Sequence, residues 1–262
     1  MNYQWDAADY EKHSSPQHQW ARDVLRIIDF AGDERVLDIG CGDGKVTAEL
    51  AALVPQGSVL GIDSSDAMIQ FAHRRFSPSR FSNLQFRLQD ATCLAYNHEF
   101  DLIVSFASLH WVRDHIAVLN GIKRGLRLHG RAVLQFGGQG NAASLFRVTN
   151  EIITHERWRS YFVGFTESWA FYSVEEYVSF LEYVGLSARR IELVPKDMVH
   201  QGKEELKGWL RTVFLPYTER LPEALREDLI EEIAVTYIGR HPPDKEGRVH
   251  VQMIRLEVEA TL

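Results

Sequence analysis

The stretch Asp38-Ile39-Gly40-Cys41-Gly42-Asp43-Gly44 sets an acid two residues ahead of three alternating glycines. Glycine takes positive φ without a Cβ clash and lets a ligand come close to the main chain. A pyrophosphate-binding turn reads G-x-G-x-x-G and aims backbone N–H groups and a helix N-terminus at the anion. Here the spacing is G-x-G-x-G, and Asp38 repels a pyrophosphate but attracts an ammonium group. A second acid, Asp63, follows Gly44 by 19 residues and ends another apolar run, where a carboxylate can accept both hydroxyls of a ribose. Asp90 ends a third run, where it can accept from an adenine amino group, and Met68 can cover an adenine face. These residues suit a nucleoside joined to a cation. S-adenosylmethionine, with its ammonium and sulfonium, has that chemistry; a nicotinamide dinucleotide does not.

The elements around these residues must hold them in one place. Apolar periodicity predicts helices over 19–30, 46–54, 65–76 (with Ser64 or Ser65 as N-cap) and 115–126. Strands are expected over 35–40, 58–63, 84–90, 100–108 and 130–137. Strand and helix alternate, which predicts a parallel sheet with right-handed crossovers and a ligand at the carboxyl ends of the strands. The fold class expected is α/β: a Rossmann-like doubly wound sheet, mostly parallel with an antiparallel last strand, plus a helical insertion or lid in the C-terminal half. In that half, helices are expected over 143–163, 173–185, 203–215 and 222–239, and strands over 188–194 and 248–260. The apolar phase switches near Met253 and Ile254, which predicts a bulge in the last strand. Three regions follow: an N-terminal helical cap over the cofactor (1–34), the cofactor-binding core (35–142), and a helical substrate lid with the last two strands (143–262).

Bulk properties narrow the function. The 262 residues carry 36 acids against 29 bases, a net charge of −7, which argues against a nucleic-acid surface. Two cysteines, Cys41 and Cys93, give no disulfide framework and point to a reducing, cytoplasmic setting. The N-terminal residues lack the apolar region of a signal peptide, and no apolar run is long enough for a membrane span. The eleven histidines are scattered without ligand spacing, so no metal is expected.

The segments VLDIGCGDGKVT, GIDSSDAMIQFA, LQDA and FDLIVSFASLHWV occur in this order. Together they resemble the class I S-adenosylmethionine-dependent methyltransferases over about residues 8–137. The resemblance implies that Asp38, Gly40 and Gly42, with Cys41 between them, hold the methionine part. It implies that Asp63 and Ser64 meet the ribose, that Met68 and Ala91 line the adenine with Asp90 at its amino group, and that Ser105 and Phe106 lie beside the methionine moiety. The SLHWVRD loop is similar to loops of two groups of small-molecule carboxyl O-methyltransferases, those acting on trans-aconitate and on insect juvenile hormone acid. YEKHSSPQ (10–17) and THERWRSYF (154–162) echo the second group. Carried over, Gln17 and Trp111 contact a substrate carboxylate, Tyr10 closes over the cofactor, and His110, His155 and Trp158 lie near the pocket. The C-terminal part departs from both groups. Its aromatic segments 165–173 and 206–217 are expected to wall the pocket, where Arg211 or Arg159 can pair the second carboxylate of a tricarboxylic substrate; an arginine-poor, aromatic-rich pocket instead suits a long-chain or isoprenoid acid.

The expected activity is methyl transfer from S-adenosylmethionine to a small molecule, a carboxylic acid giving a methyl ester, by a monomer or homodimer. An ionised carboxylate needs no base, whereas an amine, phenol, thiol or carbon acid does, and His110 is then the base. A carrier-bound malonyl group is a further acceptor. A non-catalytic cofactor-binding or adaptor protein is the reading from another class.

Overall fold

A computed structural model describes Trp5, residues 15–77 and residues 79–262. Tyr10 lies outside the described residues. Helix α1 (Ser15–Leu25) precedes β1 (Arg35–Ile39), α2 (Lys45–Leu53), β2 (Ser58–Asp63), α3 (Asp66–Arg75), β3 (Leu84–Leu88), β4 (Phe100–Phe106), α4 (His115–Gly125) and β5 (Leu126–Gly137). There follow α5 (Ala143–Ile152), α6 (Val174–Val184), β6 (Ser187–His200), α7 (Lys203–Val213), α8 (Leu215–Thr218), α9 (Glu223–Arg240) and β7 (Val249–Thr261). The seven strands form one sheet in the order β3-β2-β1-β4-β5-β7-β6. The first five pair in parallel, and β7 runs antiparallel to both β5 and β6. The sheet is therefore the doubly wound, mostly parallel one that the alternation predicts. The chain reverses direction across the sheet between β1 and β4, and their carboxyl ends, Ile39 and Phe106, frame the crevice where such sheets bind ligands.

Three apolar cores hold the elements. One face of the sheet packs Val36, Val59, Val104 and Phe86 against α1, α2 and α3 through Ala21, Leu50 and Ala72. The other packs Leu37, Ile103 and Leu134 against α4 and α6 through Leu119, Ile122 and Leu181. The third lies among α5, α7, α8 and α9 and reaches Met198, Val249, Val251 and Met253 at the far ends of β6 and β7. β6 is longer than the expected 188–194, because its far end continues under the helical layer beyond the parallel sheet, whereas β7 has the length expected of it.

Two expectations need correction. The helix expected over 143–163 ends at Ile152, and a short 3-10 turn follows at Arg159–Tyr161. The bulge expected at Met253 is absent: β7 pairs with β6 in unbroken register through Pro195↔Ile254 and Lys196↔Met253, and the register shift lies in β6 between Ala188 and Arg190. The phase switch has another cause. On one face of β7, buried Val249, Val251 and Met253 meet the helical layer, and the same face continues as buried Arg255 and Glu257. The opposite face is apolar from Leu256 onward. The switch marks buried charges under a covering layer rather than an extra residue.

Candidate active site

The strand ends build the first half of the site. Asp38 is 2% exposed inside β1, and Thr47 Oγ1 of α2 donates to its Oδ2 at 2.8 Å. Gly40, Gly42 and Gly44 all have positive φ (74°, 53° and 81°). A Cβ on Gly40 would stand 1.8 Å from Ser108 Oγ, so the loop after β4 closes directly on the turn. A Cβ on Gly44 would stand 2.8 Å from Phe86 Cζ and 3.0 Å from Ala72 Cβ, so this glycine serves helix-to-strand packing rather than a ligand. Asp63 is held rigidly: Gly42 N donates to its Oδ2 at 3.0 Å and Ser65 N to its Oδ1 at 2.8 Å. Each carboxylate oxygen has a second lone pair for a hydroxyl. Ser65 caps α3 by accepting from Met68 N at 3.4 Å.

A cleft of about 970 Å³ opens over these strand ends. It collects Gly40, Gly42, Asp63, Ser64, Met68, Asp90, Ala91, Phe106 and Trp111 from the residues singled out in the sequence. Asp90 spends one oxygen on Thr92, accepting from its N and Oγ1 at 2.7 Å each. Among the described lining residues, four acids (Asp63, Asp66, Asp90, Asp114) face one base, Arg113, which donates to the Glu167 carbonyl at 2.8 Å. That balance rejects a pyrophosphate. It suits a cationic nucleoside, and apolar Ile39, Met68, Leu88 and Ala91 are among the lining beside the acids, so the residues present fit S-adenosylmethionine. Leu88, 52% exposed on the cleft, was not singled out in the sequence, where it reads as one more apolar strand residue.

Burial raises both acids. The Asp38 carboxyl is pushed up to about 7, chiefly by desolvation and further by the charge of Asp63, against the Thr47 hydrogen bond that lowers it. Asp63 is raised by desolvation, opposed by the N–H groups of Ser65 and Gly42. Burial and both acids drive the Cys41 thiol well above its ordinary value, which makes it unreactive and leaves it a wall of the turn.

Two smaller cavities, about 50 Å³ each, adjoin this cleft. One lies between the glycine turn and α1, lined by Gln17, Asp38, Gly40, Cys41, Gly42 and Phe106. The other is walled by Phe146, Trp169, Phe171, Trp209 and Phe214, with Gln17, His110, Trp111 and Arg255 among its polar lining. Gln17 borders both, and Trp111 borders the second and the main cleft, where its ring meets Trp5 edge-on at 5.1 Å. Trp169, Phe171, Trp209 and Phe214 come from the two segments that the sequence offered, and Phe146 comes from α5.

His110 has a defined tautomer. Gly137 N donates to its Nδ1 at 3.3 Å, so the proton of the neutral ring sits on Nε2. Desolvation, then the charges of Arg255 and His115, hold its pKa well below the ordinary value. His115, 1% exposed, braces the loop that carries His110: its Nε2 donates to the Leu109 carbonyl at 3.0 Å, and its Nδ1 accepts from Tyr177 OH at 3.1 Å. Burial lowers the His115 pKa to about 4.

Several expected site residues lie elsewhere. Ser105 is fully buried and donates to the Ile39 carbonyl at 2.7 Å, tying β4 to β1, and it lines none of these three cavities. Trp158 is fully buried in the helical core, its Nε1 donating to Glu232 Oε2 at 2.8 Å. His155 is on the surface beside Glu232 Oε1 at 3.1 Å. Arg159 is exposed beside Glu156, and Arg211 faces Glu227 at 3.5 Å, so neither reaches the aromatic cavity. The cation that does line it, Arg255, is 2% exposed with its guanidinium 5.2 Å from the Trp20 ring centroid. Sequence reasoning missed it, although a charge inside Met253-Ile254-Arg255-Leu256 was the available signal.

Comparison with known proteins agrees with this geometry. A family described as "Methyltransferase domain" matches residues 31–161. The trans-aconitate 2-methyltransferase of Deinococcus radiodurans is 31% identical over 227 residues, covering 84% of each chain. That of Streptomyces coelicolor is 30% identical over 250 residues, covering 93% of this chain and 82% of the relative. The structure of geranyl diphosphate C-methyltransferase from Streptomyces coelicolor, solved with S-adenosyl-L-homocysteine, superposes with a TM-score of 0.55 at 16% identity, covering 93% of this chain and 78% of that one. Among the described residues no helix is long and apolar enough to cross a membrane. With the family match, the relatives and the acid-lined cleft in agreement, the chain belongs to the S-adenosylmethionine-dependent methyltransferases.

Proposed function

We propose that this enzyme transfers the methyl group to a carboxylate oxygen of a small molecule, giving a methyl ester. The observation that carries the reading is the Gly137 N–H on His110 Nδ1. An amine, phenol, thiol or carbon acid loses a proton on methylation and is helped by a base placed at the acceptor. The aromatic cavity offers none: His110 has its acceptor nitrogen occupied, and among the described residues no aspartate or glutamate lines the wall. A carboxylate is already ionised at neutral pH and needs only to be held. The lining supplies donors for that, in the Gln17 amide, the Trp111 indole N–H, the His110 Nε2–H and the Arg255 guanidinium.

S-adenosylmethionine supplies an electrophilic methyl group on a sulfonium, already a good leaving group. The chain's own work is alignment and exclusion of water. Asp63 and the glycine turn fix the nucleoside end. Gln17, bordering both small cavities, stands between the methionine end and the acceptor. The names of the two trans-aconitate 2-methyltransferase relatives support carboxylate chemistry without setting the substrate.

The test is incubation with methyl-labelled S-adenosylmethionine and a panel of acids, amines, phenols and thiols, followed by alkali. Volatile labelled methanol from the acids is expected. Label that transfers to a non-acid and survives alkali overturns the reading.

A further inference from the structure

We propose that Arg255 anchors the single anionic group of the acceptor and that the rest of the acceptor is apolar, so the enzyme selects monocarboxylic acids and rejects polyacids. This rests on the carboxylate reading above and adds to it a specificity residue and a substrate class.

The aromatic cavity has one permanent cation among its described lining residues. Arg255 enters it from β7, buried to 2% exposure, next to Met253 on the same face. Its neighbour on that face, Glu257, is engaged from the other side: Arg190 Nη2 and Gln135 Nε2 each donate to it at 2.8 Å. The acid is thereby fixed away from the cavity by its own donors, and it does not line the wall. Arg255 shares this lining with Gln17, His110 and Trp111.

A polyacid needs more. Each further carboxylate must find a cation or several donors, because a buried unpaired charge is strongly disfavoured. The neutral donors of the described lining, Gln17, Trp111 and His110, serve the same carboxylate as Arg255; beyond them the wall has the Asn141 amide and is otherwise apolar or aromatic, chiefly Phe146, Trp169, Phe171, Trp209, Val213 and Phe214. Ring faces carry partial negative charge and repel a carboxylate. The arginines that could serve a second or third carboxylate sit elsewhere: Arg159 and Arg211 are at the surface beside Glu156 and Glu227, and Arg113 is on the outer cleft, donating to the Glu167 carbonyl. This sets the chain apart from its relatives named for trans-aconitate, a tricarboxylate.

The experiment measures kcat/KM for trans-aconitate, citrate, hexanoate, benzoate and trans-cinnamate. Calorimetric binding of each acid to the protein saturated with S-adenosylhomocysteine gives a readout that does not need turnover. Hexanoate, benzoate or cinnamate is expected to exceed both polyacids by about 100-fold in kcat/KM or affinity. Arg255→Met is expected to lose about 30- to 100-fold, mainly in KM, with S-adenosylhomocysteine affinity unchanged as the check on folding. Arg255→Lys, which keeps the charge but not the fork, should recover part of that loss. Two results overturn the proposal: a polyacid preferred in rate and binding, or carboxylate binding within twofold of wild type in a folded Arg255→Met protein. A polyacid preferred as the substrate for methyl-ester formation sinks this proposal alone. Alkali-stable transfer to a non-acid sinks the carboxylate reading beneath it.

Discussion

The two halves of the site push their titratable groups in opposite directions for the same reason. On the cofactor side, burial raises Asp38 to about 7 and raises Asp63. On the acceptor side, burial lowers His110 and takes His115 to about 4. Desolvation disfavours whichever form is charged, so acids go up and imidazoles go down. The halves differ in what a ligand then does. On our reading Asp38 sits where the cofactor brings its ammonium group, which favours the ionised form, while Asp63 meets uncharged hydroxyls. The imidazoles are already committed to hydrogen bonds as neutral rings, and for His110 the positive charge of Arg255 makes protonation harder still. One half gains charge on binding; the other keeps its protons in place throughout.

The largest expected effect breaks the cofactor half. Asp63→Ala removes a carboxylate held by two backbone donors and positioned for two hydroxyls. Loss of two charge-assisted hydrogen bonds corresponds to about a 1,000-fold loss of S-adenosylhomocysteine affinity. Calorimetric titration measures it, and affinity retained within a few-fold would detach Asp63 from the cofactor.

The opposite shifts give a pH test with two signs. For Asp38, protonated in the empty fold up to about 7, a bound cation favours the ionised form. S-adenosylhomocysteine affinity should therefore rise with pH up to about 7 and then level, by up to about tenfold per pH unit below it. Asp38→Asn should flatten that slope. For His115, the unfolded chain takes up a proton near its ordinary pKa of 6.5 that the fold refuses down to about 4. Its contribution to stability is complete above pH 6.5 and falls away between 6.5 and 4, by about 3 kcal/mol. Denaturant midpoints across that window, wild type against His115→Phe, read it directly. A mutant with the same acid slope as wild type would mean His115 is not the group refusing the proton.

The cofactor half was legible in the sequence because it is local. Asp38, the glycine turn, Asp63, Met68 and Asp90 all sit at or just past the ends of successive strands, and the period of the strand-helix units brings them to the main cleft and, for Asp38, to the small cavity adjoining it. The acceptor half draws on α1, the loop after β4, α5, the segment before α6, α7 and β7, and no local pattern announces that meeting. Arg255 was hidden by a two-residue periodicity that tells which face a side chain takes but not what layer covers it; the charge appeared as a phase error and was read as a bulge. His115 read only as the start of a helix, since its two hydrogen bonds go to Leu109 and, 62 residues away, to Tyr177. Ser105 was placed on the correct strand but faces the neighbouring strand rather than the cleft.

The smallest expected effect separates sequence likeness from position. His155 and Trp158 lie in a segment that echoes a family motif, yet they belong to the helical layer and share one partner, Glu232. His155 is exposed, and an exposed ion pair contributes little. His155→Ala should leave kcat/KM within twofold and stability within about 0.5 kcal/mol. Trp158→Phe keeps most of the buried ring but leaves Glu232 Oε2 without its donor, so it should cost stability by about 1–2 kcal/mol while KM for the acceptor stays unchanged. A rise in KM with no loss of stability would place this segment on the acceptor after all. The opposite pattern assigns it to the scaffold on which the aromatic walls are mounted.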